Sequence, residues 1–502
     1  MTAATENPTT IGEDPGPKLT VPECPRTDAI SLLRHFGPGM ILMMTGIGTS
    51  HLVTAPTAGG RFEYALLWCI PVAYIFKYYG FEMAFRFTQS TGKSLIEAYG
   101  TAWKKWPLWY VLIVTVTQSA VGQAGRLIAA SAVLHYSALL LFGYSLPLAV
   151  YGLALGLFSV VVILAGNYKA LEKAAKILAG VLVASTIAVY FLKPAPSSAL
   201  GQVFRPEAPE GSWLIIAAFL GLLPTGIDVS LQASEWGKAK RCGLAKLRGD
   251  LEKRGDVPVF DPFNGDKKDL SVRISDLPSE AREYCAAWFR ISLYDFRLGH
   301  VISFLLAVTF LLLSAMWVYP SSVEGREVMA EISRMFTESA GPSMAAVFLV
   351  GAFAATFSTA FNYFDGWPRI VGACCRNIFR RTAALRGVDK SRLTKEHRSK
   401  WYSEFNIYRA TMIFSLVSAV AIMAGLPRPV LLVLVSSAMA FVIAPVIYIL
   451  NVYYCLTVIP EDQHGFYPSR FGIWFSLLSL VVFTVLVAIL IAARVFGVGL
   501  IG

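Results

Sequence analysis

The chain has 502 residues, of which 55% are apolar and only 15% are charged, and its formal net charge is +11 at pH 7. This balance lies far outside that of a soluble globular domain and is typical of an integral membrane protein. The sequence contains no phosphate-binding P-loop, which argues against an ATP-driven pump, and no motif for nucleic-acid recognition accompanies the positive charge. We therefore expect a channel or a secondary transporter in a lipid bilayer, not an enzyme, and we expect no cofactor.

Hydropathy predicts the helices of the chain. Eleven segments are long enough, at roughly 20 residues each, to cross the hydrocarbon core of a bilayer. The expected fold class is therefore an all-α integral membrane protein with about eleven transmembrane helices. In chain order, the predicted spans are 38–60, 64–85, 108–134, 146–165, 173–192, 212–233, 299–319, 343–364, 407–424, 429–456 and 472–494.

The positions of lysine and arginine predict the orientation. Basic residues concentrate in the loops after the even-numbered spans, above all in a loop insert at 235–298 and a basic loop at 370–406, whereas 136–145 has none. The positive-inside rule places these loops and the N-terminal tail 1–35 in the cytoplasm and the C-terminus outside. The tail is polar and rich in proline and threonine, so we expect disorder and no cleavable signal peptide. The expected location is the cell membrane (plasma or inner membrane).

Two spans contain residues that interrupt a helix. The first span includes GIGTSH (Gly46 to His51), and the sixth span carries Pro224 and Gly226 at the corresponding depth. A membrane helix can be interrupted only where its free backbone groups face protein, water or a ligand. Paired interruptions five spans apart predict a LeuT-type fold with the substrate between the two breaks, although two kinks that serve only packing are the alternative. The expected units are a transporter domain at 36–494, inverted repeats at about 36–195 and 210–458, and an eleventh helix at 472–494.

Two stretches of the N-terminal region resemble a known family. HFGPGMILMM and AGGRFEYALLWCIPVAYIFKYYGFEMAFRFTQSTGKSLIEAY are similar to the first two spans of the Nramp (natural resistance-associated macrophage protein) transporters. The resemblance follows the order of the spans over about residues 30–460 and is strongest over 36–99. It implies the LeuT-type fold with eleven or more spans.

The metal-binding motifs of that family are changed. Its metal transporters share Asp-Pro-Gly-Asn at the first break and Met-Pro-His-Asn at the sixth, and the Asp, Asn and Met side chains bind the metal. In this chain, Gly48 replaces the metal-binding Asp and Thr225 replaces the Met. The resemblance therefore implies the fold more strongly than a metal substrate. The aligned residues are Gly48, Thr49, Ser50 and His51 at the first break and Thr225, Gly226, Ile227 and Asp228 at the sixth.

The third span carries a charge of the opposite sign to that of the family. Gln123 and Arg126 stand where Nramp proteins are similar to one another in having an Asp and a Glu, which belong to their proton pathway. An arginine near the centre of a membrane span costs at least about 2.5 kcal/mol unless it faces a cavity and a partner. Arg126 is therefore a candidate for function, and a fixed ion pair with Asp228 is the structural alternative.

These features together predict an anion site. The second halves of spans one and six begin near the membrane centre, so their unpaired N–H groups and positive dipole ends face the site. Hydroxyl groups and His51 add hydrogen-bond donors, and Arg126 offers a planar fork that fits a carboxylate-like anion. We expect the following residues to bind the substrate, with no metal ligand among them: Gly48, Thr49, Ser50, His51, Gln123, Arg126, Thr225, Gly226 and Asp228.

The remaining charged groups within or beside the spans are expected to be structural. Glu82 and Arg86 are four residues apart and form a helix-end pair, with Lys77 snorkelling towards the same end. Asp365 and Arg369 are expected to cap and anchor the end of the eighth span. The insert 235–298 contains SEAREYCAAWFRISLYDF, which predicts an amphipathic surface helix.

We predict a Nramp-related secondary transporter of a small inorganic anion. Bicarbonate is preferred because it is planar and monoanionic and is matched by an arginine fork plus hydroxyl donors. The alternative is a divalent cation (Mg²⁺, Mn²⁺ or Fe²⁺) in a rebuilt site, since Mg²⁺ can keep its waters and needs few protein ligands. A sensor or a non-transporting relative is the third interpretation. Either H⁺ or Na⁺ could be the coupling ion, although the loss of both acids from the third span argues against the family's proton route.

Overall fold

The computed structural model describes residues 19–26, 28, 32, 35, 37–166, 169–321, 328–384, 400–463 and 465–496. Within these residues the regular secondary structure is helical, with no β-strand. The helices that matter below, in chain order, are α1 (Pro38–Gly46), a π-helix (Ile47–Thr54), α2 (Ala55–Phe62), α3 (Cys69–Thr91), α4 (Leu95–Tyr99), α5 (Trp106–Phe142), α6 (Leu148–Ala165), α7 (Lys169–Leu192), α8 (Trp213–Leu222), α9 (Val229–Ala239), α10 (Leu244–Arg254), α11 (Ser279–Trp317), α12 (Val328–Ala340), α13 (Met344–Ile378), α14 (Glu404–Gly425), α15 (Pro429–Val458) and α16 (Arg470–Phe496).

Each of the eleven predicted spans falls on one of these helices or on consecutive helices; the first falls on α1, the π-helix and α2, and the sixth on α8 and α9. Among the described residues, seven helices are long and apolar enough by themselves to cross a membrane: α5, α6, α11, α13, α14, α15 and α16. The others are interrupted, short or more polar, as expected of helices that face protein on most sides. The all-α, multi-pass architecture predicted from hydropathy is confirmed.

The first helix begins where the sequence provides a start signal and a partner. Pro38 occupies the first turn of α1, where its missing N–H is not needed. The carboxylate of Asp295 on α11 accepts hydrogen bonds from the backbone N–H groups of Gly37, Gly39 and Met40 at 2.8–2.9 Å. A carboxylate at this end also faces the positive end of the helix dipole. Asp295 therefore fixes the start of α1 against α11.

The π-helix lies at the centre of the molecule. It contacts α5, α8, α11, α13 and α15, and all eight of its residues are buried. Around this centre α5 packs against α13, α14 and α15, while α8 packs against α15 and α3. The two irregular segments that were predicted to bind substrate are therefore enclosed by long helices.

Two loop predictions differ from the structure. The basic loop predicted at 370–406 begins inside α13, which continues to Ile378, and its residues 385–399 lie outside the described part of the chain. The predicted amphipathic surface helix is not separate, because its residues form the first half of α11, a 39-residue helix that continues into the seventh span. Hydropathy misses both extensions because they carry polar residues. In α13 these residues, Arg376 and Asn377, are buried against other helices, whereas in α11 the charged residues Arg282, Glu283 and Arg290 are exposed. The tail 1–35 lies largely outside the described residues.

The insert 235–298 forms a small apolar cluster of its own. α10 packs against the segment that follows it and against the start of α11. Leu247 and Leu251 of α10 and Ile274 of the following segment are buried there. This arrangement explains why so long an insert is ordered, since it buries its own apolar side chains.

Candidate functional site

The sixth span is broken as predicted. α8 ends at Leu222, Leu223 has an extended backbone (φ −90°, ψ 131°), and the next helix, α9, begins only at Val229. The carboxyl end of α8 and the amino end of α9 therefore meet inside the bundle. Such ends carry partial negative and positive charge, respectively, and are the usual ion-binding elements of LeuT-type transporters.

The first span is not unwound but changes from an α-helix to a π-helix. Its α-helical hydrogen bonding is replaced over Ile47–Thr54 by a π-helix, in which the N–H of Ala55 donates to the carbonyl of Ser50, five residues earlier. The Ser50 hydroxyl donates to the Gly46 carbonyl at the point where α1 ends. Side-chain bonding of this kind satisfies a backbone group that the change of winding would otherwise leave free. The interruption predicted at Gly46–Ser50 is thus a wider helical turn.

The two irregular segments touch each other. A Cβ atom on Gly46 would lie 1.7 Å from the carbonyl oxygen of Pro224, so only glycine permits the contact. A Cβ atom on Gly48 would lie 2.3 Å from the Thr359 hydroxyl of α13. Gly46 therefore joins the two segments, whereas Gly48, which the sequence placed in the site, packs against α13.

Arg126 is buried without an acidic partner. Its side chain is 3% exposed, and the guanidinium carbon lies 3.7 Å from the ring centre of Tyr363 and 4.8 Å from that of Trp367. One terminal nitrogen donates to the carbonyl of Gly122 at 2.8 Å, whereas Nε has no hydrogen-bond partner. Within the described residues no carboxylate lies within 4.0 Å of this guanidinium. The guanidinium is therefore stabilised by two aromatic faces and the Gly122 carbonyl rather than by a counter-ion.

Asp228 lies near Arg126 but does not pair with it. Its carboxylate is close enough to feel the charges of Arg126 and Lys77, yet no nitrogen of either lies within 4.0 Å. One carboxylate oxygen lies against Gly226, where a Cβ atom would be only 2.2 Å away. The indole N–H of Trp367 approaches this carboxylate without forming a hydrogen bond of good geometry. The fixed Arg126–Asp228 ion pair considered above is therefore not formed in this structure.

Thr225, inside the break, and Gln123, on α5, face the same region. The Thr225 hydroxyl lies 3.2 Å from the hydroxyl of Tyr363, whose ring stacks on Arg126. Gln123 donates to the carbonyl of Ala360 at 3.0 Å, and its own side-chain oxygen has no partner. The structure thus brings together Arg126, Gln123, Thr225, Gly226 and Asp228.

His51 and Ser50 are bonded elsewhere. One ring nitrogen of His51 lies 2.9 Å from the Ser50 hydroxyl, and the other lies 2.9 Å from both the Tyr74 hydroxyl and the carbonyl of Ser303. These partners belong to α3 and α11, away from Arg126. Thr49 is also buried, and its hydroxyl has no hydrogen-bond partner. Of the four residues predicted at the first break, only Thr49 keeps a free polar atom.

Lys77 is a member of the site that the sequence interpretation missed. Its side chain is 0% exposed. Its Nζ donates to the carbonyl of Gly221, in the last turn of α8, at 2.9 Å and to that of Thr225, inside the break, at 3.0 Å. Snorkelling is excluded by this placement. Its position nine residues into the 23-residue helix α3 was the available signal, because that is too far from either end to reach water.

The charges beyond the break are paired with each other. Lys238 contacts Glu97 at 2.6 Å, Arg369 contacts Asp365 at 2.7 Å, and Arg86 contacts Glu82 at 2.6 Å, the last two as expected from their spacing. Arg376 lies 3.9 Å from Glu235 and also bonds Glu404. We call these side chains the ion-pair layer: Glu82, Arg86, Glu97, Glu235, Lys238, Asp365, Arg369, Arg376 and Glu404.

The ion-pair layer lies on the side predicted to be cytoplasmic. Its pairs between helices link α4, α9, α13 and α14, whereas Glu82 and Arg86 pair within α3. Burial by itself opposes ionisation of Glu97, but the charges of Lys238, Arg376 and Lys93 hold the pKa of its carboxyl well below the usual value. The Glu97 carboxylate also accepts a hydrogen bond from the N–H of Ser94 at the start of α4. The attraction of these positive charges for the Glu97 carboxylate therefore outweighs the cost of removing the carboxylate from water.

Comparisons with known proteins agree with this architecture. The chain matches the Nramp family model, described as natural resistance-associated macrophage protein-like, over residues 39–493. An uncharacterized protein of Pasteurella multocida (strain Pm70) is 21% identical to it over 342 residues, which cover 66% of this chain and 68% of that protein.

Solved structures of a transporter share the fold. A variant of the manganese transporter from Eremococcus coleocola is 16% identical, with a TM-score of 0.56 over 96% of this chain and 91% of that one. The same transporter in complex with an aromatic bis-isothiourea substituted compound is 15% identical, with a TM-score of 0.55 over 96% and 92%. At this level of identity, the similarity establishes the fold and leaves the substrate to be argued from the site.

Proposed function

This chain belongs to the natural resistance-associated macrophage protein-like (Nramp) family and has the fold of a secondary transporter, and we propose that it carries a small inorganic anion, bicarbonate, across the membrane. The proposal rests first on Arg126. Its guanidinium is buried, stacked on two aromatic rings and free of any carboxylate within 4.0 Å among the described residues. A buried cation without a counter-ion is costly unless a bound anion completes it.

The other groups around Arg126 also favour an anion. Lys77 adds a second buried positive group at the break, and the hydroxyl of Thr225 and the indole N–H of Trp367 are hydrogen-bond donors. Among the described residues, Asp228 is the acidic side chain at this point. Two cationic side chains against one carboxylate leave a net positive site, which attracts a monoanion and repels a dication.

Asp228 distinguishes bicarbonate from other planar anions. A bicarbonate ion has oxygens that can accept hydrogen bonds from the Arg126 fork, and it also has a hydroxyl group that can donate to a carboxylate. Nitrate has a similar plane but no donor. A site with a guanidinium and a nearby carboxylate therefore fits bicarbonate better than nitrate or chloride.

A divalent cation is the second candidate. Two observations favour it: Asp228 is partly accessible, and the side-chain oxygen of Gln123 has no partner. The similar fold of the manganese transporter from Eremococcus coleocola points the same way. Against it, the described residues contain no group of three or more His, Cys, Asp or Glu side chains that could hold a metal ion.

Transport by purified protein in proteoliposomes tests the proposal. Uptake of labelled bicarbonate is measured beside uptake of Mn²⁺ and Mg²⁺, with protein-free vesicles and the Arg126→Gln variant as controls. We expect saturable bicarbonate uptake that unlabelled bicarbonate inhibits more strongly than nitrate or chloride. Saturable metal uptake without bicarbonate uptake would overturn the anion proposal and establish the second candidate.

A further inference from the structure

Lys77 occupies a position that no motif assigns to it. It lies in the middle of α3, is fully buried, and bonds two backbone carbonyls through Nζ at 2.9 and 3.0 Å. Within the part of the chain that the structure describes, no carboxylate oxygen lies within 4.0 Å of this nitrogen. Burying an ammonium group without a counter-ion costs free energy, so other groups must compensate the charge of a lysine at this position.

The two carbonyls belong to the break in the sixth span. Gly221 is in the last turn of α8, where carbonyl groups lose their helical partners, and Thr225 is in the extended segment that follows. The carboxyl end of a helix carries partial negative charge, and in LeuT-type transporters such ends and unwound carbonyls coordinate the coupling cation. The Lys77 nitrogen therefore lies where a free cation would be held.

The neighbouring residues adapt α3 to this contact. A Cβ atom on Gly80, one turn after Lys77, would lie 2.6 Å from the ring of Tyr448 and 3.0 Å from the side chain of Ile227. The absence of a side chain at Gly80 lets α3 approach the broken segment. The ring of Phe483 lies 6.0 Å from the Lys77 nitrogen on the other side.

We propose that Lys77 is a built-in cation that takes the place of a coupling Na⁺ at the carboxyl end of α8. In its protonated form Lys77 balances the carbonyls of the break, so transport does not require Na⁺. Together with Arg126 it fixes the substrate class as an anion. The statement about substrate class rests on the proposed function, whereas the cation role of Lys77 can be tested without any substrate.

The first test uses thermal unfolding of the purified full-length chain. Lys77→Ala, Lys77→Met and Lys77→Gln are compared with Lys246→Ala, a control at an exposed lysine of α10. Each is measured in choline, Na⁺ or methylammonium chloride at equal ionic strength. We expect Lys77→Ala to lose roughly 5 °C in choline and to regain at least half of it in Na⁺ or methylammonium. The wild type and Lys246→Ala should respond to neither cation.

Lys77→Met and Lys77→Gln separate charge from volume. Both retain much of the side-chain volume without the charge and leave little space for an added cation, so we expect each to be destabilised without cation rescue. Lys77→Gln can still donate a hydrogen bond to a carbonyl. A Lys77→Gln protein with wild-type stability and transport would overturn the proposal, and so would a Lys77→Ala protein that no cation stabilises.

The second test measures bicarbonate uptake by the same proteins in vesicles. We expect the wild type to have equal uptake in Na⁺ and in choline, and Lys77→Ala to show at least a tenfold stimulation by Na⁺ or methylammonium. Wild-type uptake that requires Na⁺ would overturn the proposal. If the wild type takes up no bicarbonate, the proposed function fails, and the unfolding measurements alone decide whether Lys77 is a built-in cation.

Discussion

The helix-break site and the ion-pair layer both contain buried charged side chains, but they compensate those charges differently. In the layer each cation contacts a carboxylate, such as Lys238 with Glu97 at 2.6 Å. At the break, Arg126 lies on aromatic rings and Lys77 on carbonyls, with no carboxylate within 4.0 Å of either among the described residues. Paired charges are complete without a ligand, whereas the charges at the break are not.

The difference separates a stabilising region from a binding region. The layer joins four helices at one end of the bundle, so its loss should lower the free energy of unfolding. The break contributes unsatisfied donors, including Arg126 Nε and the indole N–H of Trp367. Arg376 Nε in the layer also has no hydrogen-bond partner, so the feature that distinguishes the break is the absence of a carboxylate within 4.0 Å of Arg126 or Lys77 among the described residues. Substitutions at the two regions should therefore affect different measurements.

The largest expected effect comes from the contact that assembles the break. The methyl group of Gly46→Ala would lie 1.7 Å from the carbonyl oxygen of Pro224, so the two segments must move apart. We expect the free energy of unfolding to fall by about 3 kcal/mol, the upper end for overpacking, and transport to be lost. Thermal unfolding and vesicle uptake measure the two effects.

Gly249→Ala is the matched control for Gly46→Ala. Gly249 lies inside α10, and no atom of a neighbouring segment lies within 4 Å of the point that the alanine methyl group would occupy. Alanine should therefore be neutral there or stabilising by up to about 1 kcal/mol. If Gly46→Ala were as stable and active as Gly249→Ala, the two irregular segments would not be in contact in the working protein.

Arg126→Gln should separate binding from stability. Because no described carboxylate lies within 4.0 Å of Arg126, its neutralisation breaks no ion pair, and we expect the melting temperature to change little. Bicarbonate uptake should fall on the order of 100-fold, the size of a lost hydrogen bond to a charged group. Arg126→Lys should recover only part of the uptake, since an ammonium lacks the planar fork.

The double variant Arg126→Gln/Asp228→Asn provides the strongest check on Arg126. A folded but inactive protein supports a role in substrate binding. Full transport in the double variant would show that the two side chains only balance each other's charge, and the contrast between the break and the ion-pair layer would disappear.

Glu97→Gln should lower stability and leave uptake nearly unchanged, which is the reverse of the effect expected for Arg126→Gln. The amide can still accept the Ser94 N–H bond but loses the attraction to Lys238. We expect the free energy of unfolding to fall by about 1–3 kcal/mol, less than for a fully buried pair because the Lys238 side chain is 17% exposed. Uptake per folded molecule should stay within about a factor of two. A large loss of uptake at unchanged stability would place Glu97 in the transport machinery instead.

Glu97 also gives the ion-pair layer a defined pH dependence. Its pKa is lower in the folded chain than in the unfolded chain, where it is near 4.5, so the unfolded state binds more protons in acid. The stabilisation by Glu97 is complete above that value and is lost as the pH falls below it. The melting temperatures of the wild type and Glu97→Gln should therefore differ at neutral pH and converge in acid. A constant difference at all pH values would contradict this assignment.

The smallest expected effect is at the aromatic support of Arg126. Tyr363→Phe removes the hydroxyl that contacts Thr225 at 3.2 Å but keeps the ring beneath the guanidinium, so KM for bicarbonate should rise only about twofold to fivefold. Tyr363→Ala also removes the ring and should raise KM about tenfold. Equal effects of the two variants would show that the ring contributes nothing to the placement of Arg126.

The sequence alone determined the number of helices, the broken sixth span and the family. Lipid contact imposes long apolar segments, and Pro224 with Gly226 cannot continue a helix, so both features are local and readable. The sequence also marked Arg126, Thr225 and Asp228 as candidates, because a polar or charged side chain at membrane depth stands out from its neighbours.

Only the tertiary structure decided which polar side chains lie together at the break. Helix rotation and packing turn His51 towards α3 and α11 and place Gly48 against α13, whereas they bring Lys77 to the break. They also separate Arg126 from Asp228 enough to leave them unpaired. These outcomes depend on the direction of each side chain around its helix and on groups more than a hundred residues away. Hydropathy records how deep a residue lies along a helix but not which neighbour it faces.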